Sequence, residues 1–406
     1  MSAKKVQRHK KKKANVGGEV SKKTAQKRVI KVQPPKKKTI SLVAIVKNEE
    51  AVLERCLESV KGIVDEFIVV DTGSTDKTKE IIQRYGHLYE LPYTTEVETR
   101  QKAIAFATGD YVLLMDGDEW VVSNLNKLRQ YADNDIDVVS TRIHDVTADM
   151  TIVTNKYFRN RMFKNEDDGP AFTGPGAHGY VASKRPAIVD RSVLVYHTHD
   201  HKKGDDTKAT DKVNRTLGPL EAAVKKNPND SRGWFYLART YMLGPKPDFK
   251  KAIKTFQHYL GLITSTFAEE RWWAVYDIAR CYSYLKDYAE CSIACDRALE
   301  MDPKRAEAYN LKGQVYYLQE QWAVASFYFK EAMTLQEPDG QLFIDPREYW
   351  EVPADYLATC MHKLGNVWGA FELTRALIGR KGFVDSRLIN NMNEYEKEMT
   401  TRKKPS

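Results

Sequence analysis

Three short apolar runs constrain the fold: ISLVAIV at 40–46, EFIVV at 66–70 and YVLLM at 111–115. Each is continuous rather than alternating and rich in β-branched residues, as expected of strands covered on both faces of a parallel sheet. The intervening stretches have helical spacing. Val52, Leu53, Cys56, Leu57 and Val60 fall on one face of the first, and further helices are expected over about 77–85 and 96–107, around a short strand at 87–90. This order, βαβαβαβ, predicts a doubly wound, mostly parallel α/β sheet. Such sheets hold ligands at the carboxyl ends of their strands. The loops there, DTGSTD after Val70 and DGDEW after Met115, are the polar ones. Further strands are expected at 137–143 and 193–197. Residues 159–181, dense in Gly, Pro and charge, suit a long site-building loop between them.

From Arg232 the pattern becomes helical and repeats. Ala279, Tyr282, Ala289 and Ala298 recur 34 residues later as Gly313, Tyr316, Ala323 and Ala332. Paired helices at this period, with small residues at helix contacts, are the tetratricopeptide signature. WFYLARTYM at 234–242 begins an earlier copy and YLATCMHKLG at 356–365 a later one, separated from its predecessor by the insertion EPDGQLFIDPREYW. The expected organisation is a basic tail at 1–38, an α/β domain at 39–222, helical repeats at 223–390 and a polar tail at 391–406.

Charge divides the chain. Residues 1–38 hold 15 Lys or Arg against the single acid Glu19, within an overall net charge of +9, so the remainder is mildly acidic. A segment this poor in apolar residues is expected to be disordered, and to serve as a contact to a polyanion such as nucleic acid or an anionic membrane surface or else only as a solubilising tail. It has no apolar stretch of the kind a secretory leader needs, and no run of 18 apolar residues predicts a membrane span. Five cysteines without paired spacing read as buried, reduced thiols of a cytoplasmic protein.

The acidic strand end carries the chemistry. Asp116 and Asp118, with Glu119 behind them, form a D-x-D cluster that repels itself and favours a hard cation, Mg2+ or Mn2+. Such an ion bridges to phosphate oxygens and offsets charge on a departing diphosphate. His197, His199 and His201 alternate nearby in YHTHDH, so His197 and His199 would share a strand face.

SLVAIVKNEE, FIVVDTGSTDKT and ATGDYVLLMDGDEW, in this order and spacing, resemble the family 2 glycosyltransferases of GT-A fold. The chain is similar to the branch with C-terminal tetratricopeptide repeats, which includes sublancin-type peptide S-glycosyltransferases and lipopolysaccharide-core-type glucosyltransferases. RMF at 161–163, FTGPGAHG at 172–179, VLVYHTH at 193–199 and KVNRTLGPLE at 212–221 extend the likeness. The resemblance implies that Val46, Lys47, Asn48 and Glu49 line a nucleotide pocket and that Asp71, with Thr72 where many members have a second acid, meets the base or ribose. It implies that Arg100 reaches the diphosphate or sugar, that Asp116 contacts the ribose or sugar, and that Asp118 binds the metal with His197, or else His199. It also implies inversion by direct displacement, which needs a base. The branch commonly has His-Glu where this chain has His178-Gly179, so His178 comes first, with Asp145 and Glu119 as alternatives.

The expected function is therefore metal-dependent transfer of a hexose from a nucleotide sugar, UDP-linked by resemblance, to a hydroxyl or thiol. The repeats favour a macromolecular acceptor: a polypeptide, or a nucleic acid carrying a hydroxymethylated base. A lipid-linked saccharide is an alternative acceptor, and a repeat scaffold with a degenerate catalytic domain is an alternative role. The repeats could also pair two copies of the chain. A nucleotidyltransferase is disfavoured, because VKNEE is acidic where a triphosphate-gripping loop would be glycine-rich and basic.

Overall fold

The computed structural model describes residues 37–175, 178–198, 206–381 and 385–401. The basic tail lies almost wholly outside these residues, as do His199 and His201. Strands β1 (Ile40–Val46), β2 (Glu66–Asp71), β3 (Leu88–Glu90) and β4 (Tyr111–Leu114) form a parallel block of an eight-stranded sheet. The sheet continues with β5 (Glu119–Ser123), β6 (Val138–Val146), β7 (Val153–Lys164) and β10 (Ile188–His197), in the order β3-β2-β1-β4-β7-β6-β10-β5. A separate hairpin joins β8 (Ala171–Thr173) and β9 (Tyr180–Ala182).

The apolar runs are buried on both faces. Ile40, Leu42, Ala44 and Val46 pack in one core with Leu53, Cys56, Leu57 and Val60 of α1 (Leu53–Val60). Val43 enters the opposite core with Val97 and Ala103 of α3 (Glu96–Ile104), which follows α2 (Thr78–Tyr85). Helix α4 (Asn126–Asp133) adds Leu128 and Ala132 to the first core.

One sequence expectation is corrected at β7. This strand runs through Lys164 and pairs antiparallel with β4 and β6, so the first residues of the expected 159–181 loop are sheet. Its arginines are tolerated there because carboxylates from the β4–β5 turn meet them.

Helix α5 (Asp206–Lys226) begins the helical part, and its Leu220 and Val224 belong to the repeat core. The boundary expected between 222 and 223 therefore falls inside a helix. Four helix pairs follow: α6 (Ser231–Leu243) with α7 (Phe249–Gly261), α8 (Ala268–Tyr284) with α9 (Tyr288–Met301), α10 (Ala306–Leu318) with α11 (Trp322–Thr334), and α12 (Glu351–Lys363) with α13 (Val367–Lys381). Asp230, Asp248 and Asp287 cap α6, α7 and α9 by accepting a backbone N–H three residues on. Gly313 permits the α10–α11 crossing, since a Cβ there would lie 2.7 Å from the Phe329 ring. Ala279, Ala298 and Ala332 are buried as expected, whereas Ala289 and Ala323 face outward. The Trp and Tyr stripe is core, with Trp272 stacked on Tyr276 at 5.1 Å.

The polar tail expected from 391 is also corrected. Helix α14 (Ser386–Thr401) buries Leu388 and Tyr395, seven residues apart on one face, and its Glu398 accepts from His362 at 2.6 Å.

The insertion at 337–350 fastens the repeats to the sheet. Ile344 and Lys156 of β7 exchange backbone hydrogen bonds of 2.8 and 2.7 Å, and Phe158 N–H donates to the Gln341 carbonyl at 3.0 Å. Glu269 of α8 accepts from the Gln341 and Leu342 amides, both at or below 2.9 Å. Between these anchors Phe343 takes a left-handed φ of 33°. All five cysteines are free and buried. No helix among the described residues is long and apolar enough to cross a membrane.

Candidate active site

The loops leaving β1 and β2 lock onto each other. Asn48, at φ 55°, receives the Thr75 amide on its side-chain oxygen at 2.8 Å and donates its own amide to Ser74 Oγ at 2.9 Å. The Glu49 amide donates to Thr78 Oγ1 at 2.8 Å, and both the amide and hydroxyl of Thr72 reach the Val46 carbonyl. Asp71 is buried and accepts the Gly73 and Ser74 amides at 2.9 and 3.0 Å. Its carboxylate thus shapes the loop of which it is part. Lys47 is exposed beside this loop pair.

The acidic cluster lies on the turn between β4 and β5. Asp116 is gripped by arginines from two elements: Arg100 of α3 at 2.5 Å, and Arg159 and Arg161 of β7 at 3.2 and 4.0 Å. Burial works against ionisation of Asp116, yet Arg100, Arg161 and Arg159 hold its carboxyl well below the usual range. Glu119 is wholly buried, accepts from Arg161 and receives the Asp116 amide at 2.9 Å. It is consumed in holding the turn.

Asp118 and His197 are both about 5% exposed and face each other, with Nε2 of the imidazole 3.5 Å from Asp118 Oδ1. The other ring nitrogen, Nδ1, sits 2.7 Å from Asp145 Oδ1. Asp145 also accepts from Tyr157 Oη and Asn155 Nδ2, each at 3.0 Å. Burial would lower the His197 pKa, but hydrogen bonds to Asp118 and Asp145 raise it to about 10. Burial would raise Asp145, but the bond to His197 leads the contacts that lower it. A histidine oriented through Nδ1 by a carboxylate, with Nε2 turned to a second carboxylate, is the ordinary build of a divalent-cation ligand pair. Asp118 and His197 could hold a hard divalent cation, whose charge would displace the imidazole proton shared between the two carboxylates. No cluster of three or more His, Cys, Asp or Glu suited to a metal occurs among the described residues.

A cavity of about 790 Å³ opens beside this cluster, walled by Arg100, Asp145 and His197 on the sheet side and by Tyr236, Arg239 and Phe343 on the repeat side. Val46–Glu49, Asp71 and Thr72 are not in its wall, so the strand-end loops and the cavity are separate neighbourhoods flanking the Asp116–Glu119 turn. His178 is in the wall and stacks on Tyr236 at 4.1 Å. Sequence reasoning gave Arg159, Arg161 and Tyr157 no site role. The available signal was the pair of arginines spaced two apart, Arg159 and Arg161, inside a largely apolar and aromatic run; an irregularity at Arg161 interrupts the alternation, so Tyr157 packs in one core and Phe163 in the other.

An α/β domain with a mixed sheet thus gathers an acidic turn, a carboxylate–histidine pair and facing arginines at its strand ends. Residues 41–188 match the glycosyl transferase family 2 model and residues 274–305 the tetratricopeptide repeat model. The chain thus carries a family 2 glycosyltransferase domain joined to tetratricopeptide repeats. It is 36% identical over 132 residues to a TPR repeat-containing protein of Synechococcus elongatus, covering 32% of each chain. It is 39% identical over 95 residues to an uncharacterised glycosyltransferase of Rickettsia bellii, covering 23% of this chain and 32% of that one. Over 236 residues, 54% of each chain, it is 26% identical to the SPbeta prophage-derived glycosyltransferase SunS of Bacillus subtilis. The chain spans about a third to a half of the length of these relatives. Among solved structures, that of MamA matches with a TM-score of 0.33 at 16% identity, covering 49% of this chain and 97% of that one.

Proposed function

We propose that the chain is an inverting, metal-dependent hexosyltransferase that moves a sugar from a nucleotide diphosphate, UDP by resemblance, to a macromolecular acceptor entering between sheet and repeats. The observation that carries this reading is the Asp118–His197 pair, oriented by Asp145, with His197 and Asp145 standing in the cavity wall. Mg2+ or Mn2+ held by Asp118 and His197 would supply positive charge against the leaving diphosphate. Arg100 supports the same end: its Nη2 is committed to Asp116, while its buried Nε and Nη1 have no partner among the described residues and are available to phosphate or sugar oxygens. Asp116 holds three guanidiniums in one place, so the anion meets a preorganised cationic wall. The cavity accommodates a sugar together with part of an acceptor chain, and its aromatic and arginine lining from both parts of the molecule suits a polypeptide.

A panel of UDP-, GDP- and dTDP-hexoses offered with Mn2+ or Mg2+ tests this. Release of nucleoside diphosphate from one donor, abolished by Asp118→Ala, is expected. The labelled donor then identifies the acceptor among proteins, hydroxymethylated DNA and glycolipids. An absence of release together with an absence of metal-dependent nucleotide binding overturns the reading.

A further inference from the structure

The residues expected to serve as base leave the role open. Glu119 is sealed behind Arg161 and has no place in the cavity wall. Asp145 is in the wall, but its oxygens are taken by His197, Tyr157 and Asn155. His178 lies flat on Tyr236, so one face of its ring is covered. Among the described residues, one other carboxylate lines the cavity: Glu96, at the start of α3. Its side chain is 31% exposed, so it faces the cavity space, and it stands 4.0 Å from Arg100 one turn on. The backbone N–H of Gly179 faces the same carboxylate. Position 179 has no room for a side chain of its own, because a Cβ there would lie 2.0 Å from the Phe172 ring.

We propose that Glu96 is the general base of the transfer, its carboxylate reaching from α3 to the place beside Gly179 and taking the proton from the acceptor. The inference rests on the transferase reading above. In the step it performs, the acceptor O–H gives its proton to Glu96 and the freed oxygen attacks the anomeric carbon. The bond from that carbon to the diphosphate breaks, its electron pair leaves with the nucleoside diphosphate, and the sugar centre inverts. Glu96 is then protonated and returns its proton to solvent. Burial raises the Glu96 carboxyl, with Asp116 adding to the rise; Arg100, Arg159 and the Gly179 amide oppose it. A carboxylate lifted above the usual range is a stronger base than a solvated one.

Water is the smallest acceptor with an O–H, so hydrolysis of the donor identified by the panel reads the base directly. Glu96→Gln is expected to lower the hydrolytic kcat about 100-fold or more, with donor KM and melting temperature unchanged. 4-Nitrothiophenol, ionised at neutral pH, needs no proton removed and is expected to react with Glu96→Gln at close to the wild-type rate. Hydrolysis retained within a few-fold in Glu96→Gln overturns the role of Glu96 while the transferase reading stands. Equal loss towards water and the thiolate also overturns it, making Glu96 a positioning residue. No turnover by the wild-type chain with water or the thiolate, together with no metal-dependent nucleotide binding, overturns both readings together. Should Glu96→Gln not fold, Glu96→Asp decides: a displaced acid limb of the kcat profile supports the base, and an unmoved limb overturns it.

Discussion

His197 lies between two carboxylates, Nδ1 2.7 Å from Asp145 and Nε2 3.5 Å from Asp118, so Asp145 fixes which nitrogen is turned towards Asp118, where the proposed function places the cation. Asp145→Asn is expected to weaken Mn2+ binding about 10- to 100-fold. Calorimetric titration of MnCl2 in the presence of UDP measures this; an unchanged affinity removes Asp145 from the metal environment.

The Arg161–Glu119 pair is buried at both ends, with 5% and 0% side-chain exposure. Removing one partner strands the other charge in the core. Arg161→Met is therefore expected to cost about 3–5 kcal/mol of stability, and Arg161→Met combined with Glu119→Gln distinctly less. Denaturant unfolding of both variants measures the difference. Additive losses would mean that the two residues act separately.

Burial is the chief cause raising the Glu348 carboxyl from 4.5 to about 7, although Asn310 donates to it at 2.7 Å. A carboxyl with the higher pKa when folded binds more protons in the native state. Its contribution is present below about pH 4.5 and lost as pH rises through about 7. Glu348→Gln keeps an acceptor for Asn310 and carries no charge. It is expected to match the wild-type stability profile below about pH 4.5 and exceed it at pH 8 by about 1 kcal/mol, allowing for screening of a half-buried group. Melting curves across this range test the sign; a difference larger at pH 5 than at pH 8 contradicts it.

Ile344→Pro removes the N–H that bonds Lys156 and with it the pairing of the insertion to β7. Amide exchange at Lys156 and Phe158 is expected to quicken while α14 is unaffected. Unaltered protection at those two amides would mean that the insertion does not anchor the sheet.

The strands legible in the sequence are those buried on both faces. β1, β2 and β4 are apolar but for Ser41 and the terminal Glu66 and Asp71, and runs of that length and β-branched content suit a buried strand. β7 was hidden because its site-facing residues are arginines, whose charges read as solvent exposure until Asp116 and Glu119 are seen across from them. Glu119 read as part of an acidic loop, although it begins β5. The repeat was legible from its period, but α14 was not, because Leu388 and Tyr395 sit among charges that mask a narrow apolar face. Glu96 passed unnoticed because an acid in the first turn of a helix is ordinarily a complement to the helix dipole. Its position in the cavity depends on a fold that brings α3 beside Gly179, residues 83 positions apart in the chain.

In most solenoids the number of repeats is a free variable, because each unit contacts its neighbours alone. Here the backbone pairing of Ile344 with Lys156 and the grip of Glu269 on the Gln341 and Leu342 amides close a ring that runs from the sheet through α5–α11 and back. One helix pair added or deleted inside that ring would carry the insertion a whole repeat away from β7. The sheet therefore acts as a gauge for the helical array: repeats can be gained or lost beyond Trp350 at little consequence to the ring, whereas the count before it is fixed by the distance that the insertion must span.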